Sequence, residues 1–292
     1  MEPVHARDVG LVGLGLVGRA MAKRLIEAGH RVHGYDIAEE ARVRARDLGV
    51  RVVEDARVVA QTTKLILLSL MTSDDRKALC WGGQSFASSL QRDTLILDTT
   101  TGRPEDIRED HDRLAAQGVK LVDVCLSGSS QVIAEGRALA LIGDREADAT
   151  YADIVSCFSK AQYYFNNPGQ GNRVKLIVNL VFGLNRLVLA EALGLASHAG
   201  FDLNAILDIL RAGETYSVAM DTKGPKMIAG EYAPAVAKLA QHAKDVRLIL
   251  AYAKTVGAQV PVSEVHVGLI EELVRNGSGD LDNAAIFKAY CQ

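Results

Sequence analysis

Gly13-Leu14-Gly15-Leu16-Val17-Gly18 is a G-x-G-x-x-G set directly after the apolar run Val9-Gly10-Leu11-Val12, with an acid, Asp36, 18 residues past its last glycine. Glycine-rich sextets are common, so the sextet alone is a weak signal. Placed between a strand and a helix and followed by an acid, it is the fingerprint of a dinucleotide site. The first glycine makes a tight turn, the second lets the backbone approach a pyrophosphate, and the third lets the helix pack close to the strand. The N–H groups and dipole of the helix start then stabilise the phosphates. Gly13, Leu14, Gly15, Leu16, Val17 and Gly18 are therefore candidate cofactor contacts. A carboxylate at Asp36 accepts hydrogen bonds from the ribose hydroxyls of NAD and repels the 2′-phosphate of NADP, so NAD is the preferred cofactor. Arg42 and Arg44 could meet that phosphate but read as solvated helix charges. A βα turn that holds no ligand is the bland alternative.

The elements that must position such a site follow from the hydrophobic pattern. The first half alternates short apolar runs with helical patterns, which marks βαβ units and a parallel sheet. Strands are expected at Val9–Gly13, Arg31–Tyr35, Leu65–Leu70, Thr94–Leu97, Val119–Val122 and Ala138–Ile142, with short ones near Arg51–Val53 and Gln162–Phe165. Val17–Ala28 and Pro104–Gln117 read as amphipathic helices closed by Gly29 and Gly118. Asn166-Asn167-Pro168-Gly169-Gln170-Gly171 is a breaker, and no convincing strand follows it. Asn172–Ala199 reads as one helix of about 42 Å at 1.5 Å per residue, apolar on most faces. Further helices are expected at Asn204–Ala212, Ser217–Ala229, Ala233–Val256 and Glu264–Asn276. The expected fold is an α/β Rossmann-type domain over residues 1–167 and an all-α domain over residues 168–292, joined by the long helix. That helix is too apolar for one small domain and predicts a homodimer or homotetramer.

Composition excludes several classes. At 48% hydrophobic the chain is too apolar for disorder, and its net charge of −3, with few aromatics, provides no footprint for nucleic acid. Cys80, Cys125, Cys157 and Cys291 form no C-x-x-C pair, so neither zinc nor a disulfide framework is expected. The seven histidines show no metal or triad spacing. His242, two residues before Lys244, reads as an ordinary helix histidine. The polar stretch Met1–Asp8 does not resemble a signal peptide. Leu176–Ala196 is apolar, but Asn179, Asn185, Arg186 and Glu191 interrupt it, and the last two would cost a membrane span about 2.5–3.5 kcal/mol each. A buried helix, no membrane and a cytoplasmic location are the expectations.

Four further segments complete a pattern. Asp98-Thr99-Thr100-Thr101 is followed by Pro104. Asp123-Val124-Cys125-Leu126-Ser127-Gly128-Ser129 comes next, and Gly169-Gln170-Gly171-Asn172-Arg173-Val174-Lys175 with Asn179 opens the long helix. Lys244-Asp245, then Asp282 with Ala285, close the series. With the glycine turn, this order resembles the β-hydroxyacid dehydrogenase family, which includes 3-hydroxyisobutyrate and tartronate-semialdehyde dehydrogenases, and the resemblance runs through nearly the whole chain. It implies a catalytic lysine at Lys175 and a partner asparagine at Asn179. Four residues apart on a helix, both side chains can reach one substrate oxygen. It further implies that Ser127, Gly128 and Ser129 hold a substrate carboxylate, with Lys244 at the substrate and cofactor. Thr101 would lie near the nicotinamide, and Leu70 and Met71 would line the adenosine side. Cys125, Ser129, Val178 and Met71 depart from the family pattern, so a particular substrate does not carry over.

Removing a hydride from an alcohol requires removal of its proton, and a free lysine with a pKa near 10.4 is too basic for that at neutral pH. Burial in a cleft lowers it. Lys175 is thus the expected general base in oxidation and general acid in reduction. A cation is unfavourable at a helix N-terminus, which itself points to a functional role. The expected function is NAD(P)-dependent interconversion of a small 3-hydroxy acid and its semialdehyde or keto acid. Two alternatives remain open. One is a reductase of imines or other carbonyls, and the other is a dinucleotide-binding sensor that lost the chemistry.

Overall fold

The computed structural model describes residues 6–83 and 85–291. The chain divides into two compact units, residues 1–175 and 176–292. In the first unit, strands and helices alternate as β1 (Asp8–Val12), α1 (Leu16–Glu27), β2 (Arg31–Tyr35), α2 (Glu39–Arg46), β3 (Arg51–Val52), α3 (Ala56–Thr62), β4 (Leu65–Leu68) and α4 (Ser73–Trp81). They continue as β5 (Leu95–Asp98), α5 (Pro104–Ala115), β6 (Lys120–Ser127), α6 (Ser130–Ala134), β7 (Ala138–Ile142), α7 (Ala152–Ser156) and β8 (Ser159–Tyr164). The eight strands form one sheet in the order β3-β2-β1-β4-β5-β6-β7-β8. The strands Leu65–Leu68 and Leu95–Asp98 are fully buried: Leu65, Leu67, Leu95 and Leu97 share a core with Met21 and Leu25 of α1, and Ile66, Leu68 and Ile96 share another with Val59 and Ala60 of α3, as central parallel strands do. Strand order reverses between β1 and β4, the place where open α/β sheets bind ligands.

The expected parallel sheet holds for β1 to β6, but β7 pairs antiparallel with β6. The link between them, residues 128–137, is shorter than the dozen or so residues a parallel crossover needs. Strand β6 also runs on to Ser127, so the segment from Asp123 to Ser127 lies within the strand rather than after it.

Helix α8 (Gln170–His198) begins in the first unit and continues through the second, followed by α9 (Leu203–Ala212), α10 (Val218–Thr222), α11 (Gly224–Ala229), α12 (Leu239–Val256) and α13 (Pro261–Leu273), then a 3₁₀ stretch, Asn283–Tyr290. By length and composition α8 could cross a membrane. Its Leu187, Leu189, Ala190 and Leu193 instead enter the helical unit's core beside Leu207, Val246, Ile270 and Ile286. The helix expected over Ala233–Val256 starts only at Leu239. Asp282 accepts the N–H groups of Val236 and Ala237, and Lys238 bridges to Asp282, so this segment is held out of the helix. The helix expected over Ser217–Ala229 is two, broken at Lys223, whose buried ammonium also grips Asp282 at 2.7 Å.

Candidate functional site

The three glycines of the sextet are each required by a different contact. Gly13 has φ +97°, and a Cβ there would lie 2.2 Å from the Ser69 carbonyl oxygen. A Cβ on Gly18 would lie 1.9 Å from the Gly13 carbonyl oxygen, so helix α1 can approach the turn only without one. Nothing lies within 4 Å of a Cβ built on Gly15, which opens to solvent with Leu16. Gly15 caps α1 with no side-chain hydrogen bond, and the helical ladder begins with the Arg19 N–H on the Gly15 carbonyl. The preceding N–H groups form the donor cluster that a pyrophosphate needs. The residues present therefore fit a dinucleotide. Leu14 takes part through its backbone only, because its side chain is buried in the sheet core.

Asp36 follows β2 and pins the turn. Its Oδ2 accepts the Leu14 N–H at 2.6 Å and its Oδ1 accepts the Ala38 N–H at 2.8 Å. A carboxylate has about four lone-pair sites, so each oxygen retains one for a ribose hydroxyl. Arg42 does not stand free in solvent. It donates to the carbonyls of Asp36 and Ile37, pairs with Glu39 and lies 5.8 Å from the Tyr35 ring. Arg44 is the exposed partner of Glu40.

Beyond β4, Leu70 is half-buried and donates its N–H to Thr100 Oγ1, while Met71 is exposed. The threonine loop after β5 is held from below. Asp98 accepts the Thr100 N–H at 3.0 Å, and its other oxygen takes the Arg76 guanidinium at 2.8 Å. Arg76, fully buried, also bonds Asp110, whose second oxygen accepts the Trp81 indole N–H. Burial disfavours the Arg76 charge, but Asp98 and Asp110 outweigh it and raise its pKa. Thr101 lies half-buried at the end of this loop. Arg76 and Asp110 carried no motif, and only their spatial convergence assigns them a part.

The buried Asp123 on β6 holds the start of α8. It accepts the N–H groups of Gly169 and Asn172, each at 2.9 Å, and the Asn172 side-chain amide at 3.4 Å. Burial pushes its pKa up and these donors oppose the rise. Asn172 Oδ1 in turn accepts the Gly102 N–H at 2.8 Å. One carboxylate and one amide thus tie β6, the threonine loop and the first turn of α8 together, and Lys175 stands three residues further along that helix. Cβ atoms on Gly143 and Gly171 would lie 2.0 and 2.9 Å from the Asp123 oxygens, so both glycines make room for the carboxylate. At the far end of β6, Ser127 is half-buried and Gly128, φ +149°, is exposed. Ser129 Oγ accepts the Val132 N–H and caps α6. Cys125 is fully buried, its thiol donating to the Thr100 carbonyl at 3.8 Å, and burial pushes its pKa up.

In the helical unit, Asn179 donates its amide to Asp245 Oδ2 at 3.1 Å, and Lys244 pairs with Asp245 Oδ1 at 3.1 Å. The structure thus brings the glycine turn, Asp36 and the threonine loop to the strand ends of the first unit, with Ser127 and the start of α8. It joins Asn179 to Lys244 through Asp245 in the second. Lys175 and Asn179 both lie on α8, four residues apart.

The description "NAD binding domain of 6-phosphogluconate dehydrogenase" matches residues 8–166. "NAD-binding of NADP-dependent 3-hydroxyisobutyrate dehydrogenase" matches residues 169–290. The chain is 25% identical to L-threonate dehydrogenase of Cupriavidus necator over 98% of this chain and 96% of that one. It is 27% identical to 2-(hydroxymethyl)glutarate dehydrogenase of Eubacterium barkeri over 97% and 95%. Its fold matches that of 3-hydroxyisobutyrate dehydrogenase from Salmonella typhimurium with TM-score 0.88, at 22% identity over 96% of this chain and 99% of that one. Family models covering both units, on a glycine turn built for a dinucleotide, place this chain in the β-hydroxyacid dehydrogenase family of NAD(P)-dependent oxidoreductases.

Proposed function

We propose that this protein interconverts a small 3-hydroxy acid and its semialdehyde or keto acid, with NAD as the cofactor and Lys175 as the proton carrier. The observation that carries the reading is the anchoring of the α8 start by Asp123 and Asn172 to the loop that bears Thr101. The dinucleotide, when bound, supplies the acceptor or donor of the hydride. Gly15 and the first turn of α1 would hold its phosphates, Asp36 its ribose, Leu70 and Met71 its adenosine side, and Thr101 the nicotinamide end. Lys175 Nζ takes the hydroxyl proton in oxidation and returns it in reduction. Asn179 orients the reacting oxygen, and Ser127, Gly128 and Ser129 bind the carboxylate. Preorganised donors of this kind stabilise charge without reorganising during the reaction.

The test is NADH formation across a panel of 3-hydroxy acids, including L-threonate, with wild type and Lys175→Ala. Turnover by wild type and its loss in the variant are expected. Full activity in Lys175→Ala would refute the mechanism, and tight NADH binding without turnover of any substrate would favour a sensor. Use of NADP is the second reading, favoured by Arg42, which lies against the Asp36 backbone where a 2′-phosphate would need a cation. A higher kcat/KM with NADP than with NAD would establish it. The exposed apolar residues Ile177, Val181, Val188 and Leu195 of α8 support a homodimer or homotetramer, which light scattering at micromolar concentration tests. A cytoplasmic location is part of this proposal, and fractionation tests it.

A further inference from the structure

The helical unit buries an arginine that its own acids do not neutralise. Arg186 on α8 is 1% exposed, and its Nε and Nη2 groups find no hydrogen-bond partner among the described residues. The acids it feels are engaged elsewhere. Asp282 is held by Lys223 at 2.7 Å and by Lys226 at 3.4 Å, and Asp245 by Lys244 at 3.1 Å. The contact Arg186 does make is with the face of Phe182, 5.7 Å from its ring centroid. Burial lowers its pKa only to about 10, so at neutral pH it remains a cation. A buried cation without a counter-charge is among the costliest features a core can hold, and cores keep such groups paired.

Two further orphan groups lie near it. His242 on α12 and His266 on α13 are 8% and 2% exposed, with ring centroids 5.0 Å apart, and the Nε2 atom of each lacks a partner. They fit against α8 because residue 183 is glycine. A Cβ there would lie 2.9 Å from His242 Cε1 and 3.3 Å from His266 Cε1. Gly183 precedes Arg186 by three residues, so the rings and the guanidinium share one side of α8. Burial and the Arg186 charge both push the imidazoles down, His266 to about 4, so each ring is neutral at physiological pH and carries one N–H. The cations here, Arg186, Lys223, Lys226 and Lys244, outnumber the two carboxylates, Asp282 and Asp245, that the lysines hold.

We propose that Arg186, His242 and His266 form a buried binding site for one small anion, a halide or a carboxylate group, in the helical unit. A single acceptor bonded by Arg186 Nε and Nη2 and by imidazole N–H groups satisfies the orphan atoms together. It also neutralises the guanidinium, which a water molecule does not do. The site uses neither the glycine turn nor Lys175, although Asp245, whose charge Arg186 feels, also holds Asn179 and Lys244 of the proposed reaction site.

Thermal unfolding of protein prepared with a bulky zwitterionic sulfonate buffer as the only background anion tests this, with bromide and acetate titrated separately at constant ionic strength and no dinucleotide present. Wild type should show a saturable rise in Tm, on the order of 5 °C at about a hundred times Kd. Arg186→Met should lose that response, and its Tm without anion should equal or exceed that of wild type, because the variant removes an unpaired buried charge. A response to bromide identifies an inorganic source and a response to acetate alone a carboxylate; either upholds the site. Crystals soaked in bromide should give an anomalous peak within hydrogen-bonding distance of Arg186. If wild type and Arg186→Met respond alike to both anions, or a crystal soaked in the anion that raised Tm shows only water beside Arg186, the proposal is overturned. Should Arg186→Met not fold, Arg186→Gln replaces it and the anomalous map decides.

Discussion

Asp123→Asn isolates what holds Lys175 in place. The substitution keeps size and shape but turns one carboxylate oxygen into an NH₂ group. In the structure every partner of Asp123 is a donor: the Gly169 and Asn172 N–H groups at 2.9 Å and the Asn172 amide at 3.4 Å. The NH₂ must therefore face an N–H, leaving at least one buried donor without an acceptor. An unsatisfied buried donor costs about 1–3 kcal/mol, and losing the ionic character of the remaining bond adds roughly 1 kcal/mol. We expect a destabilisation of about 2–4 kcal/mol, a fall in Tm of roughly 5–10 °C. The first turn of α8 should shift, and misplacement by about 1 Å can cost on the order of a hundredfold in rate. Steady-state kcat on the best substrate of the panel should therefore drop about 10- to 100-fold. NADH affinity, read by fluorescence, should stay within about twofold, because Asp123 touches neither the glycine turn nor Asp36. The effect should pass through the lysine, so it should nearly vanish when Asp123→Asn is added to Lys175→Ala and single-turnover rates are compared. If Tm falls as expected while kcat stays within twofold of wild type, Asp123 serves stability alone and the positioning argument is wrong.

The glycine turn should separate folding from binding. Gly13→Ala and Gly18→Ala, whose new methyl groups would meet backbone oxygen at 2.2 and 1.9 Å, should lower Tm sharply, whereas Gly15→Ala should leave Tm of the cofactor-free protein intact and weaken NADH binding about tenfold or more. Equal loss of stability in all three would contradict the division of roles. Acid stability should report His266. Its folded-state pKa of about 4 lies below the unfolded value near 6.5, so the unfolded chain takes up the proton first, and stability present above pH 6.5 should decline by about 3 kcal/mol as pH falls to 4. His266→Phe should flatten that slope in urea titrations; an unchanged slope would show that the ring is not held neutral.

What the sequence disclosed and what it hid divide by distance along the chain. The glycine sextet was legible because its demands are local: a turn at Gly13, an opening at Gly15 and a helix contact at Gly18 all fall within six residues. The long helix was legible from its unbroken apolar run. The anchoring of that helix was not, since Asp123 precedes its partners Gly169 and Asn172 by 46 and 49 residues. The same reason explains the misjudged start of α12. Periodicity carried a helix back to Ala233, but Asp282, 46 residues on, captures the Val236 N–H and keeps the segment out of the helix. Arg186 was noticed only as an interruption in an apolar stretch. That it is buried with two histidines depends on Gly183 and on α12 and α13 packing against α8 there.

The motif residues themselves belong to two kinds. Asp98, Asp123 and Asp282 sit in segments that look like chemistry, yet each spends its oxygens on backbone N–H groups or buried cations: Asp98 on Thr100 and Arg76, Asp123 on Gly169 and Asn172, Asp282 on Val236, Ala284 and Lys223. Burial raises the free energy of a carboxylate, and only such donors offset it; for Asp282 they win and hold its pKa at about 2. These acids would be needed in any chain of this fold, whether or not it still catalysed anything. Lys175 is different. Its ammonium carries the proton that the proposed reaction moves, a task none of these three carboxylates takes. The acids therefore argue for the architecture. The case that this chain is an enzyme rather than a dinucleotide sensor rests on Lys175, together with Asn179 one turn later, and substitution of those two residues decides it.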